Sequence, residues 1–217
     1  MSDRLNIERI ITNKTSSWPE IMLSVQSLLN QPGGQISANC YGCGDLHSVM
    51  KFIANKYVPI ESCQLYLAAD EGSSNVHECE YCNNAQNIKQ CEAMNNFTAY
   101  TFEKWDSITG ESNMKEAIYE FGPIVCGMDA TPQFKQYNGV GIFEQFLFTV
   151  NINHYVEVIG WGELQNNGSS QPYWIGKNSW GSYWGNQGLF KIQMNTNNLG
   201  IETDCFYAIP KLVQRGS

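Results

Sequence analysis

A histidine and an asparagine are the side chains of this sequence best suited to chemistry. His154 begins an apolar run, and Asn178 follows 24 residues later, close before Trp180, Gly181 and Trp184. A lone histidine in an apolar run is more often a hydrogen-bonded structural residue than a catalyst. Glycines and tryptophans around one asparagine, however, indicate a closely folded backbone with indole rings covering a polar group. If the Asn178 amide oxygen accepts the ring N–H of His154, it fixes the tautomer and leaves the other ring nitrogen open to a nucleophile. We expect Trp180 to keep water away from that hydrogen bond.

Apolar spacing predicts that helices come first in the chain and strands follow. The predicted helices are 18–29, with Pro19 in its first turn, 46–53, capped by Asp45, and 112–121, capped by Ser112 and stopped by Gly122-Pro123. The predicted strands are the β-branched and aromatic runs 124–128, 155–161, 173–177 and 188–194. Residues 61–91, with four cysteines and little periodicity, are predicted to be a loop held by disulfides. This order favours an α+β fold with a helical lobe over 1–94 and a sheet lobe over 95–217.

The composition describes a folded globule and excludes several classes of partner. The 217 residues, 42% of them hydrophobic, leave room for one large domain or two small ones. A net charge of −8 would repel phosphate backbones and anionic lipid, so nucleic acid is not expected as a partner. No apolar run approaches the roughly 18 residues that a membrane span needs. Asp129 and Glu157 are solitary carboxylates without a partner at a useful spacing, and neither a metal nor a cofactor is expected.

The cysteines and the first residues point to different compartments. Eight cysteines are many for a reduced cytosolic protein of this size, and an even number favours disulfides in an oxidising compartment. Glycosylation triplets at Asn13, Asn96 and Asn167 agree with that compartment. The first five residues instead carry charges where a signal peptide has its apolar core. The chain is therefore either cytosolic or lacks its beginning.

A zinc site is the alternative use of four of these cysteines. Cys40-x2-Cys43 and Cys79-x2-Cys82 each have the internal spacing of structural zinc ligands. The 35 residues between the two pairs exceed the usual spacing of about 15–20. Counting thiols separates the two hypotheses. A zinc site holds four thiolates, whereas the disulfide hypothesis leaves only Cys40 and Cys43 free or bonded to each other.

Several motifs resemble those of a known family. The segment 173–181, Tyr-Trp-Ile-Gly-Lys-Asn-Ser-Trp-Gly, is similar to the asparagine motif of the papain-like cysteine peptidases, and Asn153-His154 is similar to their histidine motif. The segments that resemble the cathepsin X (also called Z) branch of that family, in the correct order, are 23–26, 79–82, 96–98, 122–127 and 152–154. The resemblance extends from Met1 to about Cys205.

The resemblance implies a papain-like fold of two lobes, one helical and one an antiparallel, β-barrel-like sheet, with the active-site cleft between them. His154 would be the imidazolium partner of a cysteine thiolate, and Asn178 would orient the ring. The residues expected to support the site are Trp180, Gly181 and Trp184, and those expected to line the pocket for the substrate's second side chain are Tyr155 and Asn153. The implied disulfides are Cys63 with Cys79, Cys82 with Cys91, and Cys126 with Cys205.

The nucleophile is the part of the family's pattern that this sequence does not show. The motif Cys-Gly-Ser-Cys-Trp, or a close variant, is absent, and so is the oxyanion Gln before it. Residues 1–7 resemble the later turns of the central helix whose first residue is the nucleophile, so the catalytic cysteine is expected just upstream of Met1. Cys40 resembles the half-cystine that bridges to the nucleophile loop, and Cys43 stands where the family usually has Gly. Both are expected to be orphans rather than substitute nucleophiles, because their loop lacks the neighbours that activate a thiol.

The resulting hypothesis is a cysteine peptidase whose N-terminal segment is missing from this chain and which is inactive alone. The complete form is expected to be a cathepsin X-like carboxypeptidase that acts on peptides or proteins in the lysosome or outside the cell and meets cystatin-like inhibitors. The alternative is a non-catalytic papain-like homologue that serves as a peptide-binding or inhibitory module. Retention of both His154 and Asn178 favours a truncated enzyme, because a dead enzyme has no chemical reason to keep both.

Overall fold

The structure is a computed structural model that describes residues 1–13, 18–30, 45–69, 71–72, 78–83, 90–166 and 168–215. The chain divides into two compact units, the first formed by Met1–Trp105 and Ile209–Ser217 and the second by Asp106–Ala208. The strands Phe97–Ile108 and Cys205–Arg215 carry the chain from one unit into the other. The lobe boundary near residue 95 stays a prediction.

In its described residues, the first unit combines three helices with several strands. Its elements are α1 (Ser2–Asn13), α2 (Gln26–Leu29), α3 (Leu46–Asn55), β1 (Val58–Pro59), a 3-10 turn (Glu61–Cys63), β2 (Glu80–Asn83), β3 (Gln90–Ala93) and most of β4 (Phe97–Ile108). β1 pairs antiparallel with β4, with Val58 opposite Tyr100. None of the helices in the described ranges is long and apolar enough to cross a membrane.

Helix α3 was predicted correctly because its cap and its apolar face both lie within a few residues of sequence. The carboxylate of Asp45 accepts the backbone N–H groups of His47 and Ser48, each at 3.0 Å. These donors have no partner inside the helix, so the cap stabilises its first turn. Met50 and Ile53 lie on one face and are buried. The predicted helix with an Asp45 cap is confirmed.

The predicted helix over 18–29 is wrong for most of its length, because only α2 is helical. Leu23 forms an antiparallel bridge with Ile60 instead. The side chain of Asn6 on α1 clamps the backbone of Ile21, accepting from its N–H at 2.9 Å and donating to its carbonyl at 3.1 Å. These partners lie outside the segment and satisfy its backbone groups without a helix. Their hydrogen bonds override the helical spacing of the apolar residues.

The interval 61–91 is more regular than the predicted loop. Where the structure describes it, β2 and β3 form an antiparallel pair with Cys82 opposite Cys91. The expectation of irregular chain is therefore wrong at these strands. Each strand has only four residues and a mixed polar sequence, which leaves no alternation to detect.

The second unit is an antiparallel sheet with helices. Its elements are α4 (Glu111–Phe121), β5 (Ile124–Met128), α5 (Pro132–Lys135), β6 (His154–Asn166), β7 (Ser169–Lys177), β8 (Leu189–Gln193), a 3-10 turn (Asn198–Gly200) and the start of β9 (Cys205–Arg215). Strands follow the order β9-β5-β6-β7-β8, and each neighbouring pair is antiparallel. Together the two units confirm the predicted α+β class.

Two boundaries in this unit differ from the sequence-based ones. Helix α4 begins at Glu111 with Gly110 as its N-cap residue and no side-chain cap, so the predicted Ser112 cap is wrong. Strands β6 and β7 continue beyond the apolar runs to the pair Asn166 and Ser169. Backbone hydrogen bonds of a hairpin hold this polar extension. The pattern of apolar residues does not reveal them, because they do not depend on side-chain type.

A buried carboxylate organises the turn after β8. Glu202 is 8% exposed and accepts hydrogen bonds from Trp174 Nε1 at 2.8 Å, Asn195 N at 2.9 Å and Asn197 N at 3.2 Å. Asn195 and Asn197 have positive φ values of 70° and 48°. Three N–H donors balance the charge of Glu202 and hold the turn in this left-handed geometry.

Candidate active site

The sheet places His154 and Asn178 side by side at one end of two neighbouring strands, β6 and β7. His154 is the first residue of β6 and pairs with Met128 on β5, while β7 ends at Lys177, directly before Asn178. Because β6 and β7 are antiparallel neighbours, the start of one and the end of the other lie side by side. The backbone N–H of Asn178 donates to Gly188 O at 2.9 Å, which fixes the asparagine beyond the end of its strand.

The two side chains meet in a hydrogen bond. His154 Nε2 lies 2.9 Å from Asn178 Oδ1, in a partly buried position. The backbone N–H of Ser179 donates to the same Oδ1 at 2.8 Å, so this atom is the amide oxygen. An oxygen that accepts requires a ring nitrogen that donates. The neutral imidazole therefore carries its proton on Nε2, and Nδ1 keeps its lone pair.

Aromatic rings cover this hydrogen bond. The indole of Trp180 stacks on the His154 ring, with 4.8 Å between centroids and 27° between planes. Trp184 packs edge-on against Trp180 at 5.0 Å and donates from Nε1 to Lys135 O at 3.0 Å. Phe134, which is fully buried, contacts both indoles. The cluster holds Trp180 against the imidazole, and the expectation that Trp180 keeps water away from the bond stays a prediction.

Glycines allow the indole-bearing loop to fold back on itself. Gly181 has φ +88°, a conformation that residues with a side chain rarely adopt. Gly185 also has a positive φ, and a Cβ there would lie 2.5 Å from Leu189 O. The loop between Asn178 and β8 therefore needs glycine at both positions.

Asp129 positions the residue before the histidine, a role that its sequence surroundings do not reveal. Its Oδ1 accepts from Asn153 Nδ2 at 2.9 Å and its Oδ2 from Asn151 N at 3.1 Å. Asn153 Oδ1 in turn accepts from Ala130 N at 2.8 Å. The expectation of a solitary Asp129 is wrong, because its partners lie more than 20 residues away and have no characteristic spacing. These contacts fix the approach of the chain to His154.

The other carboxylate expected to be solitary also has a partner. Glu157 lies 3.4 Å from the ammonium of Lys177, to which β6 and β7 bring it in register. Sequence spacing alone does not reveal a cross-strand pair between neighbouring strands.

Tyr155 and Asn153 are the residues expected to line a substrate pocket. The Tyr155 hydroxyl donates to Asp204 Oδ2 at 3.2 Å. A Cβ at Gly127 would lie 3.0 Å from the Tyr155 ring and 2.8 Å from Asp204 Oδ2. Tyr155 thus packs over a glycine beside a carboxylate, and its pocket role stays a prediction.

All cysteines within the described ranges are in disulfides. The pairs are Cys63–Cys79, Cys82–Cys91 and Cys126–Cys205, as the resemblance implies. The zinc alternative is wrong for Cys79 and Cys82, because each is already bonded to another sulfur. Cys40 and Cys43 lie outside the described residues. The described part of the chain therefore offers an imidazole and a carboxamide but no free thiol.

Comparison with known proteins shows the family to which this chain belongs. The sequence profile of the papain family of cysteine proteases matches residues 1–209. The chain belongs to this family.

Relatives and solved structures agree with that assignment. Cathepsin Z of Onchocerca volvulus is 34% identical over 217 residues, which cover 97% of this chain and 65% of that protein. The bromelain protease from Ananas comosus in complex with the E64 inhibitor matches with a TM-score of 0.66 and 26% identity, over 92% of this chain and 81% of that chain. Procathepsin L 3 of Tenebrio molitor larval midgut matches with a TM-score of 0.66 and 26% identity. The match covers 94% of this chain and 60% of that chain. The predicted papain-like fold is confirmed, and the chain spans just under two thirds of the cathepsin Z relative.

Proposed function

We propose that this chain supplies the imidazole and carboxamide of a cysteine peptidase active site. The observation that carries the proposal is the 2.9 Å bond from His154 Nε2 to Asn178 Oδ1. It directs the lone pair of Nδ1 away from the asparagine, and no described residue hydrogen-bonds that nitrogen. An oriented, unprotonated imidazole nitrogen beneath an indole is the arrangement that a thiol nucleophile needs in its base.

The chemistry assigned to His154 is a proton transfer in two directions. Nδ1 takes the proton of a cysteine thiol, and the thiolate forms a bond to the carbonyl carbon of the peptide. The imidazolium then gives the same proton to the leaving amine as the C–N bond breaks, and a thioester remains. A water then forms a bond to the thioester carbonyl carbon and gives a proton to Nδ1. The C–S bond breaks, the carboxylic acid product leaves, and the sulfur takes the proton from the imidazolium to regenerate the thiol. Asn178 holds the ring through each step, and Trp180 excludes competing water from Nε2.

The thiol is the component that the described chain lacks. Its six cysteines are in disulfides. Cys40 and Cys43 do not have the family's nucleophile motif around them. We therefore expect the 217 residues alone not to hydrolyse peptides and not to react with a thiol-directed peptide probe. Labelling at Cys43, found by mass spectrometry, would contradict this expectation.

The proposed substrate class is peptides and proteins, cleaved by the complete protein at their C-termini one residue at a time. The likeness to cathepsin Z supports this assignment. The disulfides, and the triplet starting at the exposed Asn96, support a glycosylated protein of the lysosome or the extracellular space, where cystatin-like inhibitors would act on it.

A chimaera tests the function directly. The N-terminal segment of the Onchocerca volvulus relative, which we expect to carry the nucleophile, is joined to Met1, and kcat/KM is measured on peptides with free and blocked C-termini. His154→Ala in the chimaera should lower kcat/KM by roughly 10²–10⁴-fold. The matched control His47→Ala changes an exposed histidine of the first unit and should leave kcat/KM unchanged. Equal rates for the two variants would refute the assignment.

The same chimaera separates the peptidase from the non-catalytic alternative. Release of single C-terminal residues identifies the carboxypeptidase, and internal cleavage identifies an endopeptidase. A folded chimaera that binds peptides without cleaving them would favour the binding module.

A further inference from the structure

The segment that leads into His154 lies beyond the end of the strand with which β6 pairs. β5 ends at Met128, which is opposite His154, the first residue of β6. The preceding residues therefore need other hydrogen bonds, and the carboxylate of Asp129 accepts two of them. Its Oδ2 accepts the backbone N–H of Asn151 at 3.1 Å, and its Oδ1 accepts from Asn153 Nδ2 at 2.9 Å. The Asp129 side chain thus takes the place of a further strand residue.

The carboxamide of Asn153 links this carboxylate to a second backbone donor. Asn153 Oδ1 accepts the backbone N–H of Ala130 at 2.8 Å. The two side chains therefore lie between two backbone N–H groups, that of Asn151 at one end and that of Ala130 at the other. The hydrogen bond between Asp129 and Asn153 is the link in the middle.

The two backbone donors restrict the chemical nature of this pair of side chains. Each end requires an oxygen that faces the donor, so the middle contact joins the one remaining polar atom of each side chain. One carboxylate and one carboxamide place an acceptor against a donor there. Two carboxamides would place two NH2 groups against each other, and two carboxylates would place two negatively charged oxygens together. All three hydrogen bonds form only when the pair contains one carboxylate and one carboxamide.

Close packing also holds the segment. The backbone N–H of Asp129 donates to the carbonyl of Leu199 at 2.8 Å, and Leu199 is 1% exposed. The Ile152 side chain fits against two glycines. A Cβ at Gly127 would lie 2.7 Å from Ile152 Cγ2, and a Cβ at Gly200 would lie 3.1 Å from Ile152 Cδ1. The backbone on either side of Ile152 is therefore fixed both by hydrogen bonds and by packing.

The position of the His154 ring depends on where this segment places the His154 Cα. The ring is held at its other end by the 2.9 Å hydrogen bond to Asn178 Oδ1 and by the stack on Trp180 at 4.8 Å. A histidine side chain has only two rotatable bonds, so the ring cannot keep both contacts when its Cα moves. Asn153 is joined to His154 by one planar peptide unit, which transmits a displacement of Asn153 to the histidine.

We propose that Asp129 is a positioning residue of the peptidase site, and that it functions only while positions 129 and 153 hold one carboxylate and one carboxamide. Asp129 acts through Asn151 and Asn153 and keeps the His154 ring in its hydrogen bond to Asn178. The inference rests on the proposed peptidase function, in which Nδ1 of His154 serves a thiol.

Three variants test the requirement, because each changes donors and acceptors with little change in side-chain size. Asp129→Asn gives two carboxamides, Asn153→Asp gives two carboxylates, and the double variant exchanges the two groups. The exchange preserves all three hydrogen bonds, with the middle one reversed in direction. The matched control is Asp106→Asn, which alters an exposed aspartate of the second unit whose carboxylate also accepts a backbone N–H, that of Ser107 at 2.8 Å.

Long-range ¹H–¹⁵N NMR of the 217-residue chain at about pH 7.5, where carboxylates are ordinarily ionised, measures the tautomers of His154. The ratio of Nε2-protonated to Nδ1-protonated ring should fall about tenfold in Asp129→Asn and further in Asn153→Asp. The double variant should restore the ratio to within about threefold, and the control should not change it. A ratio in Asp129→Asn equal to that of the control, or no recovery in the double variant, would overturn the proposal.

Folding is checked by far-UV circular dichroism and urea denaturation. If Asn153→Asp does not fold, the comparison of Asp129→Asn with the double variant decides. Lower stability of Asp129→Asn with an unchanged tautomer ratio would assign Asp129 a role in stability alone and would also overturn the proposal.

Steady-state kinetics of the chimaera supply a second readout. Asp129→Asn should lower kcat roughly 10–100-fold and change KM by less than about threefold, because a small displacement of a reacting group slows the reaction more than it weakens binding. The double variant should recover most of kcat. A rise in KM with kcat unchanged would contradict a positioning role. An unaltered chimaera without activity would refute the peptidase function instead, and the tautomer ratio would then decide the role of Asp129.

Discussion

At the scale of single residues, the Asn178 side chain joins the parts of the site. Its Oδ1 receives the Ser179 N–H and faces the His154 ring, and these two contacts decide both the amide orientation and the imidazole tautomer. His154 and Asn178 were accessible to sequence reasoning, because glycines and tryptophans cluster around the asparagine. Asp129 was not accessible, because its partners lie on a distant segment and share no motif with it. A contact between two unremarkable polar residues becomes visible only when the sheet register is known.

A glycine on β7, two residues before Asn178, leaves room for an aromatic ring from the neighbouring strand β8. A Cβ at Gly176 would lie 2.1 Å from the Phe190 ring, which is fully buried. Gly176→Ala should therefore lower the free energy of unfolding by about 1–3 kcal/mol, measured by urea denaturation. The matched control is Gly160→Ala on β6, where no heavy atom lies within 4 Å of the new Cβ. That change should be neutral or stabilise by about 0.4–1 kcal/mol. A larger loss for Gly160→Ala than for Gly176→Ala would contradict this view of the packing.

At the scale of elements, the helices and strands predicted correctly are those whose own residues carry the full sequence signal. Helix α3 has both a cap and an apolar face, and β5 was predicted with its observed bounds. The segment 18–25 has the apolar face of a helix, but hydrogen bonds to Asn6 and a bridge from Leu23 to Ile60 hold it outside a helix. Strands β4 and β9 were not predicted individually, since long-range pairing rather than apolar alternation supports them. Local patterns fail where distant backbone groups supply the hydrogen bonds.

The disulfides should stabilise the elements that they join by different amounts. Cys126–Cys205 links β5 to β9 across 79 residues, whereas Cys82–Cys91 links β2 to β3 across 9. The longer loop loses more entropy in the unfolded chain when it is closed, so removing the first should cost about 4–5 kcal/mol and the second about 2–3 kcal/mol. The measurement is urea denaturation of the two double alanine variants. A larger loss for the Cys82–Cys91 variant would show that loop entropy does not set the ranking.

At the scale of the whole molecule, each unit contains a buried tyrosine that resists ionisation. Burial raises the pKa of Tyr100 in the first unit and that of Tyr137 in the second above the ordinary 10.0. Arg9 opposes the shift of the Tyr100 pKa, and the backbone N–H of Lys191 opposes that of Tyr137. The folded chain therefore keeps these protons at a pH at which the unfolded chain releases them.

The consequence is a loss of stability in alkali. Since the unfolded state binds fewer of these protons above about pH 10, the free energy of unfolding should fall as the pH rises through that range. Urea denaturation between pH 8.5 and pH 11 measures the slope, with thiols alkylated beforehand to prevent disulfide exchange. Tyr137→Phe should make the slope shallower. The control Tyr183→Phe alters a tyrosine that is fully exposed and should leave the slope unchanged. A steeper slope for Tyr137→Phe than for the unaltered chain would contradict the assignment.

The central claim is that Asn178 holds the imidazole of His154 with its proton on Nε2 and its lone pair on Nδ1. Long-range ¹H–¹⁵N NMR of the histidine rings, at a pH where they are neutral, measures this directly. We predict a protonated Nε2 and an unprotonated Nδ1 for His154, and a mixture of tautomers after Asn178→Ala, with His47 unaffected. A proton on Nδ1 of His154 in the unaltered chain, or a His154 spectrum that Asn178→Ala does not change, would contradict the account.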